Sequence, residues 1–171
     1  MSDAQKFFGK YRGMVIDNVD PMQTGRLMVQ VPDVAGLIPG SWALPCFPFT
    51  GQQMGFWALP QIGSGVWVEF EQGNPDHPIW SGCFWGSAAE VPLLANAGNP
   101  ASPSIILQSG LQNSIVISDM AGPAGGIILK AATGAMILIN DVGITISNGK
   151  GATIVMAGPT VMINNGALVV V

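Results

Sequence analysis

Residues 143–147 read Gly-Ile-Thr-Ile-Ser, and residues 113–118 read Asn-Ser-Ile-Val-Ile-Ser. Isoleucine occupies alternate positions in both stretches. In an extended strand the isoleucines therefore face one side, and Thr, Ser or Val faces the other. A Gly or Asn precedes each strand, which is typical of a tight corner. These stretches decide the fold of the C-terminal half, because the same pattern recurs along it.

Eight apolar pairs of this kind follow one another, and their first members are 7 to 12 residues apart. Glycine recurs between them, from Gly110 to Gly166. A short strand followed by a Gly or Asn corner, repeated at a loose period, predicts a β-solenoid or β-helix. The pairs are Ile105/Leu107, Ile115/Ile117, Ile127/Leu129, Met136/Leu138, Ile144/Ile146, Ile154/Met156, Val161/Ile163 and Leu168/Val170.

A single chain with repeats this short cannot enclose a core. Ordering about 70 residues costs on the order of 100 kcal/mol, and a one-sided ribbon leaves its apolar row half in water. Three chains wound together solve this, because their apolar rows meet on one axis. We therefore predict an intertwined triple-stranded β-helix in a homotrimer; the alternative is an ordinary Gly-rich antiparallel sheet or an aggregation-prone tail. The predicted trimer core is Ile115, Ile117, Ile127, Leu129, Ile144, Ile146, Ile154 and Ile163.

The composition excludes several classes of protein. Only 9% of the 171 residues are charged, and the net charge is −4. A disordered chain needs low hydrophobicity, a coiled coil needs charged flanking positions, and a nucleic-acid binder usually shows a basic field. Apolar runs are too short for a membrane helix or a signal peptide. Residues 96–171 contain four charges, as expected of a surface shared among three chains.

The N-terminal half differs, since all 13 aromatic residues lie between Phe7 and Trp85. Strands are predicted at residues 11–19, 26–31, 54–59, 66–71 and 78–85, separated by Pro and Gly turns. About five strands joined by hairpins in 90 residues predict a small barrel. The chain therefore divides into an arm (1–10), a barrel (11–90), a small-residue linker (91–103) and the β-helix (104–171).

The barrel segment resembles the OB-fold domain of phage baseplate assembly protein V and of VgrG-type central spike proteins of contractile injection systems. The resemblance covers about residues 10–86, and Asn74 stands where an Asp is common. It also implies an OB barrel followed by a trimeric β-helix, the order inferred above. The residues that carry the motif are Gly13, Asp20, Pro21, Gly25, Arg26, Val29, Val31, Pro32, Val66, Val68, Phe70, Gly73, Pro78 and Gly82.

The resemblance implies a structural spike that caps the tube and hub of a contractile machine and pierces the target envelope. Its implied partners are two further copies, baseplate hub or tube proteins at the OB end, and a PAAR-type tip protein. The spike would be assembled in the cytoplasm and become part of a phage tail or injection particle. The C-terminal stretch would expose strand edges for docking, with the tip interface at Leu168, Val169, Val170 and Val171.

No catalytic, metal or cofactor site is predicted, and we expect a non-enzymatic protein. Glu69 and Glu71 are interpreted as outer-face residues of one strand, and His77 as a structural turn residue. Cys46 and Cys83 could pair, although two buried thiols are favoured for a protein assembled in a cytoplasm. A trimeric fibre or adhesin, an OB-fold binding module and a carbohydrate-active β-helix are the competing functions.

Overall fold

The computed structural model describes residues 5–36 and 40–170. The chain divides into two compact units between Glu90 and Val91. Predictions that fall on residues 1–4 and on Val171 lie outside the described residues.

The N-terminal unit is built on a closed five-stranded barrel with strand order β1-β2-β3-β7-β6. Its pairings are antiparallel except for β3 and β7, which pair in parallel. Two further strands, β4 and β5, form a separate hairpin. In chain order the strands are β1 (Tyr11–Asp17), β2 (Leu27–Gln30), β3 (Trp42–Pro45), β4 (Thr50–Gly51), β5 (Met54–Gly55), β6 (Gly65–Phe70) and β7 (Pro78–Phe84).

One predicted barrel strand was wrong. Residues 54–59 were expected to be in the barrel, but only Met54–Gly55 is extended, and it belongs to the hairpin. The fifth barrel strand is β3, which was not predicted from the sequence. Its four residues include Pro45 and show no clear alternation, and it is held by β2 on one side and β7 on the other. The register across the barrel, rather than local pattern, therefore decides this strand.

The barrel has a continuous apolar core. Alternate residues of β2 and β6 point inward and are almost fully buried, as the period-2 pattern predicts. Trp80 closes one side, and its Nε1 donates a 3.1 Å hydrogen bond to the carbonyl of Gly25. The buried apolar residues are Val15, Leu27, Val29, Val31, Ala43, Val66, Val68, Phe70 and Trp80.

The described part of the N-terminal arm packs on this barrel. The backbone N–H of Phe7 donates to the carbonyl of Gly73 at 2.9 Å. The Phe7 ring lies 6.1 Å from the rings of Tyr11 and Phe70. Lys10 pairs with Glu69 and donates to the Ser81 hydroxyl. Residues 5–10 therefore extend the barrel's packing.

Helical structure in the described residues is limited to short segments. The four-residue helix α1 (Pro32–Ala35) follows β2 and opens with proline at its first turn, where the missing N–H costs nothing. Single turns of 3-10 type lie at Glu71–Gly73, Ala88–Glu90, Leu93–Asn96 and Gly122–Ala124. Leu93–Asn96 lies within the predicted linker, and Ala88–Glu90 lies directly before it.

The C-terminal unit is one eight-stranded antiparallel sheet in which every strand pairs with its neighbours in the chain. All eight predicted strand positions are strands. Within one chain the arrangement is a simple meander, because Gly and Asn corners join each strand to the next. The strands are β8 (Ile105–Gln108), β9 (Ser114–Ser118), β10 (Gly126–Lys130), β11 (Met136–Asn140), β12 (Gly143–Ser147), β13 (Thr153–Ala157), β14 (Thr160–Ile163) and β15 (Leu168–Val170).

Candidate functional site: the apolar face of the C-terminal sheet

One face of the C-terminal sheet is entirely apolar. Directly opposed residues of antiparallel strands share a face, so the register defines two columns across all eight strands. One column is Ile105, Ile117, Ile127, Ile139, Ile144, Met156, Val161 and Val170, and the other is Leu107, Ile115, Leu129, Ile137, Ile146, Ile154, Ile163 and Leu168. We call these sixteen residues the apolar face.

The second face is mixed. Its central column is mostly apolar but contains Thr145, which opposes Leu138 and Val155. The column beside it carries Gln108, Ser114 and Lys130 on neighbouring strands. Lys130 is the one charged side chain on a strand in the described part of this unit. Within one chain this face is nevertheless less exposed than the apolar face, since Ser114 and Ser118 on it are buried.

The apolar face has no core of its own. Every buried apolar side chain among the described residues belongs to the barrel unit. Twelve of the sixteen apolar-face residues are at least 36% exposed, from Ile137 at 36% to Ile105 at 65%. A soluble monomer rarely exposes a contiguous apolar surface of this extent. The inner strands of the sheet are therefore paired on both sides through their backbone, but the apolar face is not buried.

All eight residues predicted for the trimer core lie on the apolar face. Their place on a three-fold axis stays a prediction. One predicted pair was wrong: Met136 and Leu138 lie on the second face, and Ile137 and Ile139 of the same strand lie on the apolar face. Residues 136–139 are all apolar, so the strand's own sequence does not show which alternate pair lies on the apolar face. The pairing with the next strand shows the answer: Ser147, on the polar side of β12, opposes Met136 and so places Met136 on the second face.

Side chains at the turns connect successive hairpins. Asp141 Oδ2 accepts a 2.9 Å hydrogen bond from the N–H of Gly122, 19 residues earlier. On the opposite side of the sheet, Asn113 Oδ1 accepts from the N–H of Ala132 at 3.0 Å. Asn164 Oδ1 accepts from the N–H of Thr153 at 3.1 Å. These bonds join turns that are not adjacent along the chain, and they stiffen the sheet at both sides.

Two glycines allow the turn backbone to approach a neighbouring strand. A Cβ at Gly126 would lie 2.0 Å from the carbonyl oxygen of Ile139, and a Cβ at Gly143 would lie 2.0 Å from that of Met156. Both have positive φ, at +96° and +150°. No L side chain fits without displacing the neighbouring strand. Glycine at these corners is therefore a steric requirement of the sheet.

The last described strand offers a free edge. β15 pairs with β14 on one side, and no described strand lies on its other side. Leu168, Val169 and Val170 are 54%, 48% and 55% exposed. Unpaired N–H and C=O groups on such an edge are a template for another strand. The remaining predicted tip residue, Val171, lies outside the described residues.

In the barrel unit, Asp20 organises the turn between β1 and β2. Its carboxylate accepts hydrogen bonds from the N–H groups of Met22, Thr24 and Arg26 and from the Thr24 hydroxyl. The Arg26 guanidinium also donates to it at 2.7 and 3.0 Å. Arg26, aided by these other donors, holds the pKa of Asp20 well below its usual range despite burial. The pair is thus structural.

The other predicted motif residues have mainly structural positions. Gly13 lies in β1, where a Cβ would come within 2.9 Å of Val68 Cγ2. Gly25 has φ +84°, and a Cβ there would meet the Phe47 ring at 3.1 Å. Val29, Val31, Val66, Val68 and Phe70 form the core. Pro32 opens α1, Pro78 opens β7, and Gly73 and Gly82 have positive φ; Pro21 lies in the Asp20 turn.

The residues weighed for chemistry are dispersed. The structure corrects one placement: Glu69 lies in β6, but Glu71 begins the following turn. His77 lies in the turn before β7, where its N–H bonds to the Asn74 carbonyl at 3.0 Å. Among the described residues, no three His, Cys, Asp or Glu side chains cluster in a way that could hold a metal ion.

The prediction of two buried thiols was wrong. Cys46 and Cys83 are free and exposed. Partial desolvation nevertheless raises the pKa of the Cys83 thiol. Both lie outside the barrel core. Cys46 is in the loop that follows β3, and Cys83 is near the end of β7. The barrel therefore depends on apolar packing and not on a disulfide.

A barrel with its own core, followed by a sheet whose apolar face lacks one, defines a class of protein: an all-β protein that assembles through its C-terminal domain. Comparison with protein families agrees with this. Residues 11–85 match the type VI secretion system/phage-baseplate injector OB domain. Residues 104–169 match the phage baseplate V C-terminal trimerisation domain. A search of curated proteins found no match.

Together the two domain matches cover most of the chain, and the protein belongs to the phage baseplate V family of injector spike proteins. It is a baseplate spike component that self-associates through its C-terminal domain. Its partners are other baseplate proteins, and it is associated with a virion or injection particle. No helix in the described ranges is long and apolar enough to span a membrane.

Proposed function

We propose that three copies of this chain form the central spike of a contractile machine and pierce the target envelope when the sheath contracts. In this proposal the C-terminal sheets wind together into a triple-stranded β-helix, with the barrels facing the hub and tube. The protein acts mechanically and has no catalytic role. It is assembled in the cytoplasm and travels with the particle.

The observation that carries this proposal is the sixteen-residue apolar face. Its aliphatic side chains span all eight strands without a polar interruption. Three such faces turned toward one axis remove the exposed area from water, at about 25 cal/mol per Å². Eight strands at about 4.8 Å spacing give a rod of roughly 40 Å. A short rod whose apolar faces are buried along its axis would resist buckling.

The turns support the same mechanical reading. Hydrogen bonds from Asn113, Asp141 and Asn164 link turns separated along the chain. The described turns of this unit carry few charges, so the desolvation cost of entering an envelope is small. A buried apolar axis and these links would make unfolding slow, which is the property a piercing element requires.

The free edge of β15 supports docking of a PAAR-type tip protein. Three copies of Leu168–Val170 would present three apolar strand edges at the end of the rod. Strand addition gives affinity through main-chain hydrogen bonds. A capping protein would also remove an exposed edge that otherwise favours aggregation. The tip is thus proposed as a docking surface for one protein and not as a cutting edge.

The test is the mass in solution by light scattering, followed by tip capture. We expect a trimer of about 53 kDa, three times the 17.8 kDa chain, that resists SDS. A stable monomer would contradict the proposal. A chain ending at Gly166 should remain trimeric and capture a PAAR-type protein at least tenfold more weakly. Equal capture by the shortened chain would refute the docking step alone.

A further inference from the structure

The dipeptide Asn-Gly occurs twice in the C-terminal unit, at residues 148–149 and 165–166. The first copy lies in the turn between β12 and β13, and the second in the turn between β14 and β15. Both asparagines are exposed. In this dipeptide the glycine nitrogen can attack the asparagine side chain readily, because glycine has no Cβ to hinder the approach. The structure distinguishes the two copies, since it restrains only one of them.

Hydrogen bonds hold the first copy. Asn148 Oδ1 accepts from the N–H groups of Lys150 and Ala152, at 2.8 and 3.1 Å. The N–H of Gly149 donates to the Ser147 hydroxyl at 3.1 Å. The amide that would be attacked and the nitrogen that would attack it are therefore both engaged. All three bonds must open before the reaction can begin.

The second copy lacks these restraints. Within the described ranges, no hydrogen bond engages the Asn165 side chain or the N–H of Gly166. The turn is closed by its neighbours instead, because the N–H of Ala167 donates to the carbonyl of Asn164 at 3.3 Å. The reacting groups of Asn165 and Gly166 are thus free to approach each other.

The space around the two glycines differs in the same sense. A Cβ at Gly149 would lie 2.6 Å from the carbonyl carbon of Gly134, so the backbone of the neighbouring turn is packed closely against it. At Gly166 the nearest atom to such a Cβ is Val169 Cγ2, at 4.0 Å. Ring closure requires the backbone of the dipeptide to rotate. Residues 165–166 have room for this rotation, whereas residues 148–149 do not.

We propose that Asn165 is a site of spontaneous deamidation in the folded protein and that Asn148 is protected. The Gly166 nitrogen attacks Asn165 Cγ, so that a C–N bond forms and the Cγ–Nδ2 bond breaks. The side-chain nitrogen leaves as ammonia and takes the proton of the Gly166 amide. Water then opens the succinimide ring. Attack at Cγ gives aspartate, and attack at the main-chain carbonyl carbon gives isoaspartate, whose chain continues through Cγ.

This conversion changes the charge beside the tip. Residues 151–171 contain no charged side chain, so each converted chain gains a first negative charge in this stretch. Position 165 lies in the turn that precedes β15, the strand whose free edge is the proposed docking surface. Three such carboxylates repel one another when they are close together, and isoaspartate also lengthens the backbone of the turn. The effect on docking rests on the proposed function, whereas the deamidation does not.

Peptide mapping by mass spectrometry tests the site, with the folded full chain incubated at mildly alkaline pH. We expect Asn165 to convert at least about tenfold faster than Asn148, because three hydrogen bonds must open at the latter. In denaturant the two rates should become similar. The variant S147A removes the acceptor of the Gly149 N–H and should accelerate conversion at Asn148 alone. Equal rates in the folded chain would overturn the proposal, as would a difference that persists unchanged in denaturant.

Capture of a PAAR-type protein tests the consequence for the tip. The variant N165D carries the charge of the converted chain and should capture this protein more weakly than the wild type. The matched control N148D adds the same charge in a turn away from β15 and should capture normally. Equal capture by N165D and N148D would refute the effect of charge at the tip. If the chain ending at Gly166 also captures normally, the docking step of the proposed function fails instead, and the two deamidation rates are unaffected.

Discussion

Replacing Ile146 with Asp is the sharpest test of the apolar face. Ile146 lies in the middle of β12, opposed by Ile137 and Ile154. In a trimer the substitution would place three carboxylates at one level of the axis. The neighbouring residue, Thr145, lies on the second face of the same strand, so Thr145→Asp is a control with the same charge and strand position.

The expected cost follows from the exposure that remains in one chain. Ile146 is 39% exposed, so assembly removes about two fifths of its surface, or roughly 1 kcal/mol of the ~1.5–3 kcal/mol for burying the whole side chain. Three copies lose about 3 kcal/mol. Burying three carboxylates adds several kcal/mol for each ion. The total exceeds ~10 kcal/mol, about seven orders of magnitude in the trimer constant.

The assay is light scattering at micromolar concentration, with circular dichroism to check the barrel. We expect I146D to lose the trimer at pH 7 and T145D to retain it. Lowering the pH should partly restore the I146D trimer, because a protonated carboxyl costs less to bury. If I146D assembles normally while T145D does not, the second face points to the axis and our assignment of the two faces is reversed.

Two further predictions concern single residues. Asp20→Asn should lower the urea midpoint at pH 7, because it weakens the contact with Arg26. The pKa of Asp20 is depressed in the folded state. The stability that the ionised Asp20 contributes is therefore present above its unfolded pKa of about 3.9 and is lost as the pH falls below that value. The gap from wild type should therefore narrow below pH 4, and a constant gap down to pH 2 would disprove this. Gly143→Ala should lower the thermal midpoint more than Gly151→Ala, because both have positive φ but only Gly143 would bring a Cβ within 2.0 Å of a carbonyl oxygen. The control carries only the backbone strain of about 1–2 kcal/mol, and equal melting temperatures for the two variants would refute the steric argument.

The local sequence pattern was sufficient to predict strands in which apolar residues occupy alternate positions and the turns contain glycine. All eight C-terminal strands could be predicted, because each carries an apolar pair at alternate positions and the turns contain Gly or Asn. In β11 the phase was lost, since Met136, Ile137, Leu138 and Ile139 are all apolar. Only the pairing with β12 shows that Ile137 opposes Ile146.

In the barrel, by contrast, local sequence was not sufficient to predict every strand. β3 has a weak pattern of its own, and its parallel pairing with β7 joins residues far apart in the chain. Such non-local pairings are not encoded in any short window of sequence. The thiols were misplaced because their burial was predicted from the compartment of assembly, whereas only the fold places Cys46 and Cys83 outside the core.

The amino-acid sequence by itself determined the division of the chain, the strand-and-corner repeat and the need for partner chains, because an alternating apolar row without charge cannot be buried by one ribbon. Tertiary structure decided what depends on register and on distant contacts. Register aligned sixteen side chains into one continuous face. The hydrogen bond from Trp80 to the carbonyl of Gly25 also depends on tertiary structure, since these residues are 55 positions apart and meet only when the barrel closes.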